Sequence, residues 1–271
     1  MWMSPSLYAL LKPQLSPPPA GSLPFGGGEI SEGSDFSHVY FKDAFSGTYT
    51  GMDGFLLKDT FTVLTSGYVA ETIQASPSSY KAVMGTTSVL MTGTATQVAD
   101  CMNAYVHTSY SGYSDLEYNI GYVVTSGFSP DSTYVDVCEY SNAPDAYSFP
   151  GDYFYPAGTN VVFSTLVRYL GGFPSYYTHA NGIPSIVLSI GDAETALGYS
   201  LPTTVLPVST GGMTDGALGS GLLVAGYGSY FCAGVLIQPD VSDAGATLFT
   251  HLGNKASWIE TQTGVSPITY P

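Results

Sequence analysis

Charged side chains are scarce in this chain, and positive ones most of all. Only 10% of its 271 residues are charged, with six Lys or Arg against 21 Asp or Glu and a formal net charge of −15. Nucleic-acid binding needs a basic patch to meet the phosphates, so we expect no nucleic acid among the partners. The acidic balance either serves solubility or favours a cationic partner.

Long apolar runs are also lacking, and no signal peptide is evident. No stretch of 18 or more apolar residues occurs, so we expect no membrane insertion. The apolar segment near the start, residues 7–11, is short and follows no positive residue, unlike a secretion signal. We nevertheless expect a secreted, extracellular protein, because so few Lys and Arg leave few sites for proteases that cut after basic residues.

Cysteine is limited to Cys101, Cys138 and Cys232. An odd count leaves at least one thiol free or intermolecular, and a buried apolar thiol is the state we expect for each. A chain of this size can bury about 75% of its unfolded surface. The core therefore needs no stapling metal or cofactor, and we expect none.

Glycine, proline and tyrosine are abundant, at 32, 18 and 22 residues. Short runs rich in Val, Thr, Tyr and Phe alternate with Gly, Pro, Ser and Asp, a pattern typical of all-β proteins. No internal repeat is visible. We predict strands and one short helix, the strands within residues 61–64, 118–124, 161–170, 186–190 and 234–238 and the helix near 254–261.

Five segments match, in order, the motifs of one enzyme family. Residues 54–57 (GFLL) with 63–69 (VLTSGYV) resemble G-S-L-I and V-L-T-A-A-H-C; residues 106–110 (VHTSY) with 118–123 (YNIGYV) resemble I-H-P-x-Y and N-D-I-A-L-L. The others are 217–224 (ALGSGLLV) for G-D-S-G-G-P-L-V, 246–252 with 256–260 for G-V-Y-T-R-V and the final W-I, and 25–29 (FGGGE) for I-V-G-G. The chain thus resembles the trypsin- and chymotrypsin-like serine proteases over residues 25–264.

The resemblance implies two six-stranded antiparallel β-barrels and a short C-terminal helix containing Trp258 and Ile259. It divides the chain into a Pro-rich N-terminal arm, residues 1–24, and a double-barrel domain, residues 25–271. The barrels are expected at roughly 25–140 and 141–250.

The catalytic positions of the family are all substituted. The resemblance places Tyr68 on the histidine, Asn119 on the aspartate and Gly219 on the serine. The triad needs a nucleophile, a base and a carboxylate that holds the base. Tyrosine, with an ordinary pKa of about 10, is a poor base at neutral pH, asparagine carries no charge, and glycine has no nucleophile. We therefore expect no enzyme activity.

Activation and specificity features are altered as well. Leu218 replaces the aspartate that receives the new N-terminus in the family, and Pro24 stands where the cleavage site needs Arg or Lys. The base of the specificity pocket falls on Met213, with Asp215 on a usual cysteine. These replacements are consistent with a chain that is never activated.

Two sets of residues are candidates for protein contacts. The arm contains six prolines, which makes it extended rather than helical, and it offers Trp2, Leu7, Tyr8 and Leu11 for docking on its own barrels or on a neighbouring subunit. Tyrosines are either β-barrel filling or an aromatic contact surface, and the candidates are Tyr110, Tyr113, Tyr176 and Tyr177.

The expected function is a non-catalytic serine-protease homologue that binds protein or self-assembles as an extracellular structural subunit. One alternative is a secreted hydrolase with a site rearranged around Ser220, one residue beyond the serine position, with His179 as base. Others are an inhibitor or decoy of another enzyme, and an unrelated all-β coat protein.

Overall fold

A computed structural model of the chain describes residues 28–29, 37–84, 97–130, 139–140, 160–169, 176–209, 218–226, 229–238 and 245–267. These residues form β-strands, three short α-helices and two 3-10 turns, at Pro77–Ser79 and Gly253–Lys255. The helices are α1 (Gly67–Ala75), α2 (Ile190–Leu197) and α3 (Ala256–Thr263). The strands are β1 (Gly28–Glu29), β2 (His38–Asp43), β3 (Tyr49–Leu56), β4 (Thr62–Thr65), β5 (Tyr80–Met84), β6 (Gln97–Val106), β7 (Gly121–Thr125), β8 (Glu139–Tyr140), β9 (Asn160–Tyr169), β10 (Tyr176–Val187), β11 (Val205–Ser209), β12 (Gly221–Gly226), β13 (Ser229–Gln238) and β14 (Thr247–His251).

The first six long strands close into a barrel in the order β2-β3-β4-β7-β6-β5. Every neighbouring pair is antiparallel. Phe41, Leu56, Val63, Met84 and Val123 are fully buried inside. Inward apolar side chains fill a barrel of this size, so its interior is a packed core.

The remaining strands form a second antiparallel circuit. The order runs β10-β11-β14-β13-β12-β9, and β9 also pairs with β10, so the circuit closes on itself. Strand β1 adds to β10, and the short β8 pairs in parallel with β13. A core of Leu188, Val205, Ile237 and Leu248 lies within this part.

Both barrels use the same strand order. When the six strands of each are numbered along the chain, the spatial order is 1-2-3-6-5-4 in both. The repeat is invisible in the sequence, because pairing register and strand order depend on backbone hydrogen bonds that many side-chain patterns allow. The predicted all-β fold of two six-stranded barrels with a short C-terminal helix is confirmed. The predicted domain limits stay predictions.

Two of the three helices were not predicted. Ser66 Oγ accepts the Val69 N–H at 3.4 Å and caps α1, and Ser189 Oγ accepts the Asp192 N–H at 3.1 Å and caps α2. The sequence of α1 (GYVAETIQA) mixes helix and strand formers, so propensity alone does not decide its state. Val69, Ala70 and Ile73 are buried on one face of the helix, and this packing favours the helical state. The strand predicted for residues 186–190 is wrong at its end, since β10 stops at Val187.

The barrels meet along a shared interior. Phe55 and Leu64 of the first barrel pack in one cluster with Val235 of the second and with Leu252 and Ile259. Because helix α3 supplies Ile259 to this cluster, it closes the seam between the barrels. Asn119 and Gly219 lie where the two barrels meet.

Candidate functional site

Asn119 joins the first turn of α1 to the second barrel. Its Oδ1 accepts the Tyr68 N–H at 3.2 Å, and its main-chain oxygen accepts the Thr250 hydroxyl of β14 at 2.8 Å. The side chain is fully buried, and its Nδ2 has no hydrogen-bond partner among the described residues. The structure thus brings Tyr68 and Asn119 into direct contact, with the Tyr68 backbone as donor.

Gly219 lies against Thr65 at the end of β4, and Thr65 precedes Tyr68 by three residues. Its N–H donates to the Leu236 oxygen at 2.9 Å, and its φ is +89°. A Cβ at this position would lie 2.1 Å from both the Asp53 oxygen and Thr65 Oγ1. These two atoms are themselves hydrogen-bonded at 2.6 Å. The volume that a side chain at 219 needs is therefore filled.

The neighbouring loop residues attach to β3. The Asp53 N–H donates to the Leu218 oxygen at 2.8 Å, and Met52 forms a parallel bridge with Leu218. Leu218, which the resemblance aligns with the aspartate of activation, thus takes part in main-chain pairing between the two barrels.

Ser220 belongs to a buried polar cluster centred on Asp53. Its Oγ donates to Asp53 Oδ2 at 3.0 Å, and His38 Nε2 lies 2.7 Å from the same oxygen. Tyr49 Oη donates to Asp53 Oδ1 at 2.8 Å. Asp53 and Ser220 are both 0% exposed. Three donors on one carboxyl group satisfy a buried polar side chain that would otherwise be costly.

Sequence reasoning missed this cluster. The sequence suggested His179 as the partner of Ser220. His179 belongs to β10, but its side chain is not among the parts of the chain that the structure describes. The histidine found here is His38, which no motif identified. The one available signal was Asp53 itself, an acidic residue inside the apolar run of β3 (YTGMDGFL).

The cluster differs from a triad in its connectivity. A triad needs the serine bonded to the histidine and the histidine to the carboxylate. Here the described bonds of Ser220 and His38 both reach Asp53. With Ser220 shut off from solvent, the arrangement holds the 218–220 loop of the second barrel against β3 of the first.

A group of tyrosines covers the start of α1. The Tyr68 and Tyr113 rings meet edge to face, with centroids 5.1 Å apart and planes at 76°. The Tyr110 ring lies so close to Gly67 that a Cβ there would be 2.9 Å from it. Burial raises the pKa of the Tyr110 hydroxyl well above its ordinary value, and within the described part of the chain this hydroxyl has no hydrogen-bond partner.

The loop that carries these tyrosines, residues 107–120, is held by Asp115. One carboxylate oxygen accepts the N–H and hydroxyl of Ser111, and the other accepts the N–H groups of Glu117 and Tyr118. Partial burial raises the pKa of Asp115, but these donors outweigh it, so the pKa lies below its ordinary value. Hydrogen bonds to a charged group are strong, and four of them hold residues 111–118 of this loop together.

The other side of the loop contacts helix α3 through an aromatic row. Lys255 Nζ lies 4.3 Å above the centre of the Tyr118 ring, a cation–π contact. Burial, and then the charge of Lys255, lower the pKa of His107. The successive ring pairs, with centroids 4.9 to 6.0 Å apart, are Tyr118–His107, His107–Trp258, Trp258–Tyr122 and Tyr122–Tyr105.

Several predicted residues cannot be placed with their side chains. Tyr176 and Tyr177 pair in register with Tyr169 and Arg168 of β9, and nothing further is described of them. Cys101 is a buried free thiol, and Cys232 is buried as well. The predicted residues outside the described part of the chain are Met213, Asp215, Trp2, Leu7, Tyr8, Leu11 and Cys138.

No other site competes within the described residues. They contain no group of three or more His, Cys, Asp or Glu placed to hold a metal ion, and none of their helices is long and apolar enough to cross a membrane. A groove of about 410 Å³ on β5 and β6 is lined mainly by Pro77, Tyr80, Lys81, Asp100 and Met102. None of these is a residue that the sequence singled out.

No protein-family model matches the chain, and no curated protein matches it.

Proposed function

We propose that this protein is a non-catalytic homologue of the trypsin-like serine proteases that binds protein outside the cell, as an assembly or structural subunit. Five ordered motifs support the family, and two six-stranded barrels are the fold that the family implies. The contact of Tyr68 with Asn119 supports the alignment of these two positions. Fold alone carries no activity, so the argument depends on the site.

One observation carries the proposal: position 219 has no room for a nucleophile. The hydrogen bond between Thr65 Oγ1 and the Asp53 oxygen occupies the space that a serine side chain would enter. The backbone there, with φ at +89°, also favours glycine. The loss of a hydroxyl at position 219 needs only a single substitution. A filled side-chain volume means in addition that the neighbouring residues are packed for glycine at this position.

The alternative hydrolase would need Ser220 as nucleophile. A nucleophilic serine must reach its substrate and a base that takes its proton. Ser220 is 0% exposed, and its described hydrogen bond goes to a carboxyl group. Both facts favour the non-catalytic reading over the rearranged site.

A binding role is supported by the surface beside α1. Tyr113 is 53% exposed although a rigid loop presents it. Interface cores are enriched in tyrosine and depleted in Lys and Glu. A rigid loop also loses less conformational entropy when a partner binds.

A fluorophosphonate probe tests the absence of catalysis. The full chain is incubated with the probe beside trypsin as a positive control and beside the Ser220→Ala variant. We expect no labelling of the chain. Labelling at Ser220 that disappears in Ser220→Ala would replace this proposal with the rearranged hydrolase.

Light scattering tests the structural role. We expect the full chain to form assemblies, alone or with a protein from its native source, and deletion of residues 1–24 to reduce their size. If light scattering shows only monomers, alone and with proteins from that source, both for the full chain and without residues 1–24, the structural role is refuted. Recovery only from intracellular fractions would refute the extracellular location.

A further inference from the structure

A phenylalanine stands on the turn between β2 and β3. Among the large apolar side chains that the structure describes, Phe45 is the most exposed, at 86%. The carboxylate of Asp43 holds this turn, because its Oδ1 accepts the N–H groups of Phe45 at 3.0 Å and of Ser46 at 2.6 Å. The main-chain oxygen of Asp43 accepts the Gly47 N–H at 3.0 Å. The turn therefore presents an apolar side chain that folding itself does not bury.

An open groove lies beside this turn, the one on β5 and β6 that Tyr80 and Met102 help to line. Its volume is about 410 Å³, and pockets of roughly 300–1,000 Å³ bind ligands larger than a phenyl ring. Asp43 and Tyr80 are register partners of β2 and β5, and the Ala44 N–H donates to the Ser79 oxygen at 2.8 Å. Phe45 and the groove thus lie on adjacent strands, at the same end of both.

The strands around the groove are balanced in charge. Strands β2, β5 and β6 contain two lysines and two aspartates, Lys42, Lys81, Asp43 and Asp100, and no other Lys, Arg, Asp or Glu. Lys81 Nζ pairs with the Asp100 carboxylate. The whole chain has a formal net charge of −15, so two copies repel each other overall. On these three strands the charges cancel, and a second copy can approach them without that repulsion.

We propose that two copies of this chain form a dimer about a two-fold axis, in which Phe45 of each copy enters the groove of the other. In such a contact the same surface serves both partners, so a projecting group and its receptor must both lie on it. The turn and the groove meet this requirement. A foreign partner would need only one of the two features, whereas a second copy uses both. Aromatic side chains are enriched in interface cores, and anchors in well-packed pockets supply most of the binding energy.

This dimer gives the proposed assembly role a contact, and its proposal rests on that role. Sedimentation equilibrium of the full chain should show a monomer–dimer equilibrium in the micromolar range. Phe45→Ser should raise the dissociation constant about thirtyfold or more, as the loss of a hot-spot side chain does. Phe45→Leu keeps an apolar side chain and should restore most of the affinity.

Two further variants locate the receptor. Met102 is 61% exposed, so Met102→Glu should leave the fold intact while it places a charge in the groove. It should weaken the dimer as strongly as Phe45→Ser does. Tyr199→Ser removes another aromatic ring, 40% exposed, and should change nothing. Far-UV circular dichroism checks that all of these variants are folded.

A mixture of the two disruptive variants tests whether the insertion is reciprocal. Each variant alone loses both insertions, but Phe45→Ser keeps its groove and Met102→Glu keeps its phenylalanine. The mixture should therefore form a mixed dimer with one insertion, at concentrations where each variant alone is monomeric. Native mass spectrometry identifies this dimer by its mass.

Four results would overturn the inference. They are a full chain that stays monomeric, a dimer that both substitutions leave unaltered, a mixture without mixed dimer, and a dimer lost on deletion of residues 1–24, which would make the arm the occupant. Assemblies that persist by light scattering in Phe45→Ser would overturn the inference and leave the proposed function standing. Only monomers, alone and with proteins from the native source, would refute both.

Discussion

Replacing Gly219 with alanine is the most direct test of the reasoning about the lost nucleophile. The new Cβ would lie 2.1 Å from the Asp53 oxygen and from Thr65 Oγ1. The first is a backbone atom inside β3 and cannot move without disturbing the barrel. The second can move only if its hydrogen bond to Asp53 breaks.

The expected cost has three parts. A non-glycine residue at φ +89° costs about 1–2 kcal/mol. Overpacking against the β3 backbone costs about 1–3 kcal/mol. Losing the Thr65 hydrogen bond adds about 1 kcal/mol. We therefore expect Gly219→Ala to lower the free energy of unfolding by about 3–6 kcal/mol, a large share of the 5–15 kcal/mol typical of folded proteins.

Gly51→Ala is the matched control. Gly51 has φ +76°, but among the described residues no atom beyond Gly51 and its two chain neighbours lies within 4 Å of where its Cβ would be. In this variant only the positive-φ backbone conformation should lower the free energy of unfolding, by about 1–2 kcal/mol. Urea unfolding followed by far-UV circular dichroism compares the two variants, provided that the denaturant slope is unchanged.

The difference in the free energy of unfolding between Gly219→Ala and Gly51→Ala decides whether position 219 has room for a side chain. If Gly219→Ala costs no more than Gly51→Ala, position 219 has room for a side chain, and the argument from filled volume fails. The variant that combines Tyr68→His, Asn119→Asp and Gly219→Ser tests the same point, because it places a serine side chain in this volume. We expect that it folds poorly and has no measurable activity.

Three further outcomes are expected. Ser220→Ala should lower the free energy of unfolding by about 1–3 kcal/mol because Asp53 loses a donor; in an Asp53→Asn background the loss should shrink, and additive costs in this double-mutant cycle would contradict the contact. Burial raises the pKa of Cys101 to about 12. Iodoacetamide at pH 8 should therefore leave Cys101 unmodified until urea unfolds the chain, as measured by peptide mapping. Prompt modification of Cys101 in the native protein would disprove its burial. The pKa of His107 should lie below 6.5 by NMR titration, first because of burial and then because of Lys255. The unfolded chain therefore takes up this proton first as the pH falls below about 6.5, so stability declines there, and an unaltered pH profile in His107→Phe would argue against this.

The order of motifs along the chain was sufficient to predict the architecture. Runs rich in Val, Thr and Tyr between Gly and Pro predict strands, because β-branched and aromatic side chains fit a pleated surface. Strand β9 (Asn160–Tyr169) was predicted within one residue at each end. Helix α1 was not predicted. Its helical state depends on the Ser66 cap and on an apolar face buried by β6 and β7, and this burial is a tertiary contact that the local sequence does not display.

The residues at 68, 119 and 219 are enough by themselves to establish that the chemistry of a triad is missing at the aligned positions, since tyrosine, asparagine and glycine cannot supply it. Only the tertiary structure decided what occupies the site instead. His38 lies 15 residues from Asp53 in the chain and Ser220 lies 167 residues away, yet both bond to one carboxyl oxygen. Such contacts follow from barrel closure and from the docking of one barrel on the other, which bring together residues that no periodicity or spacing relates.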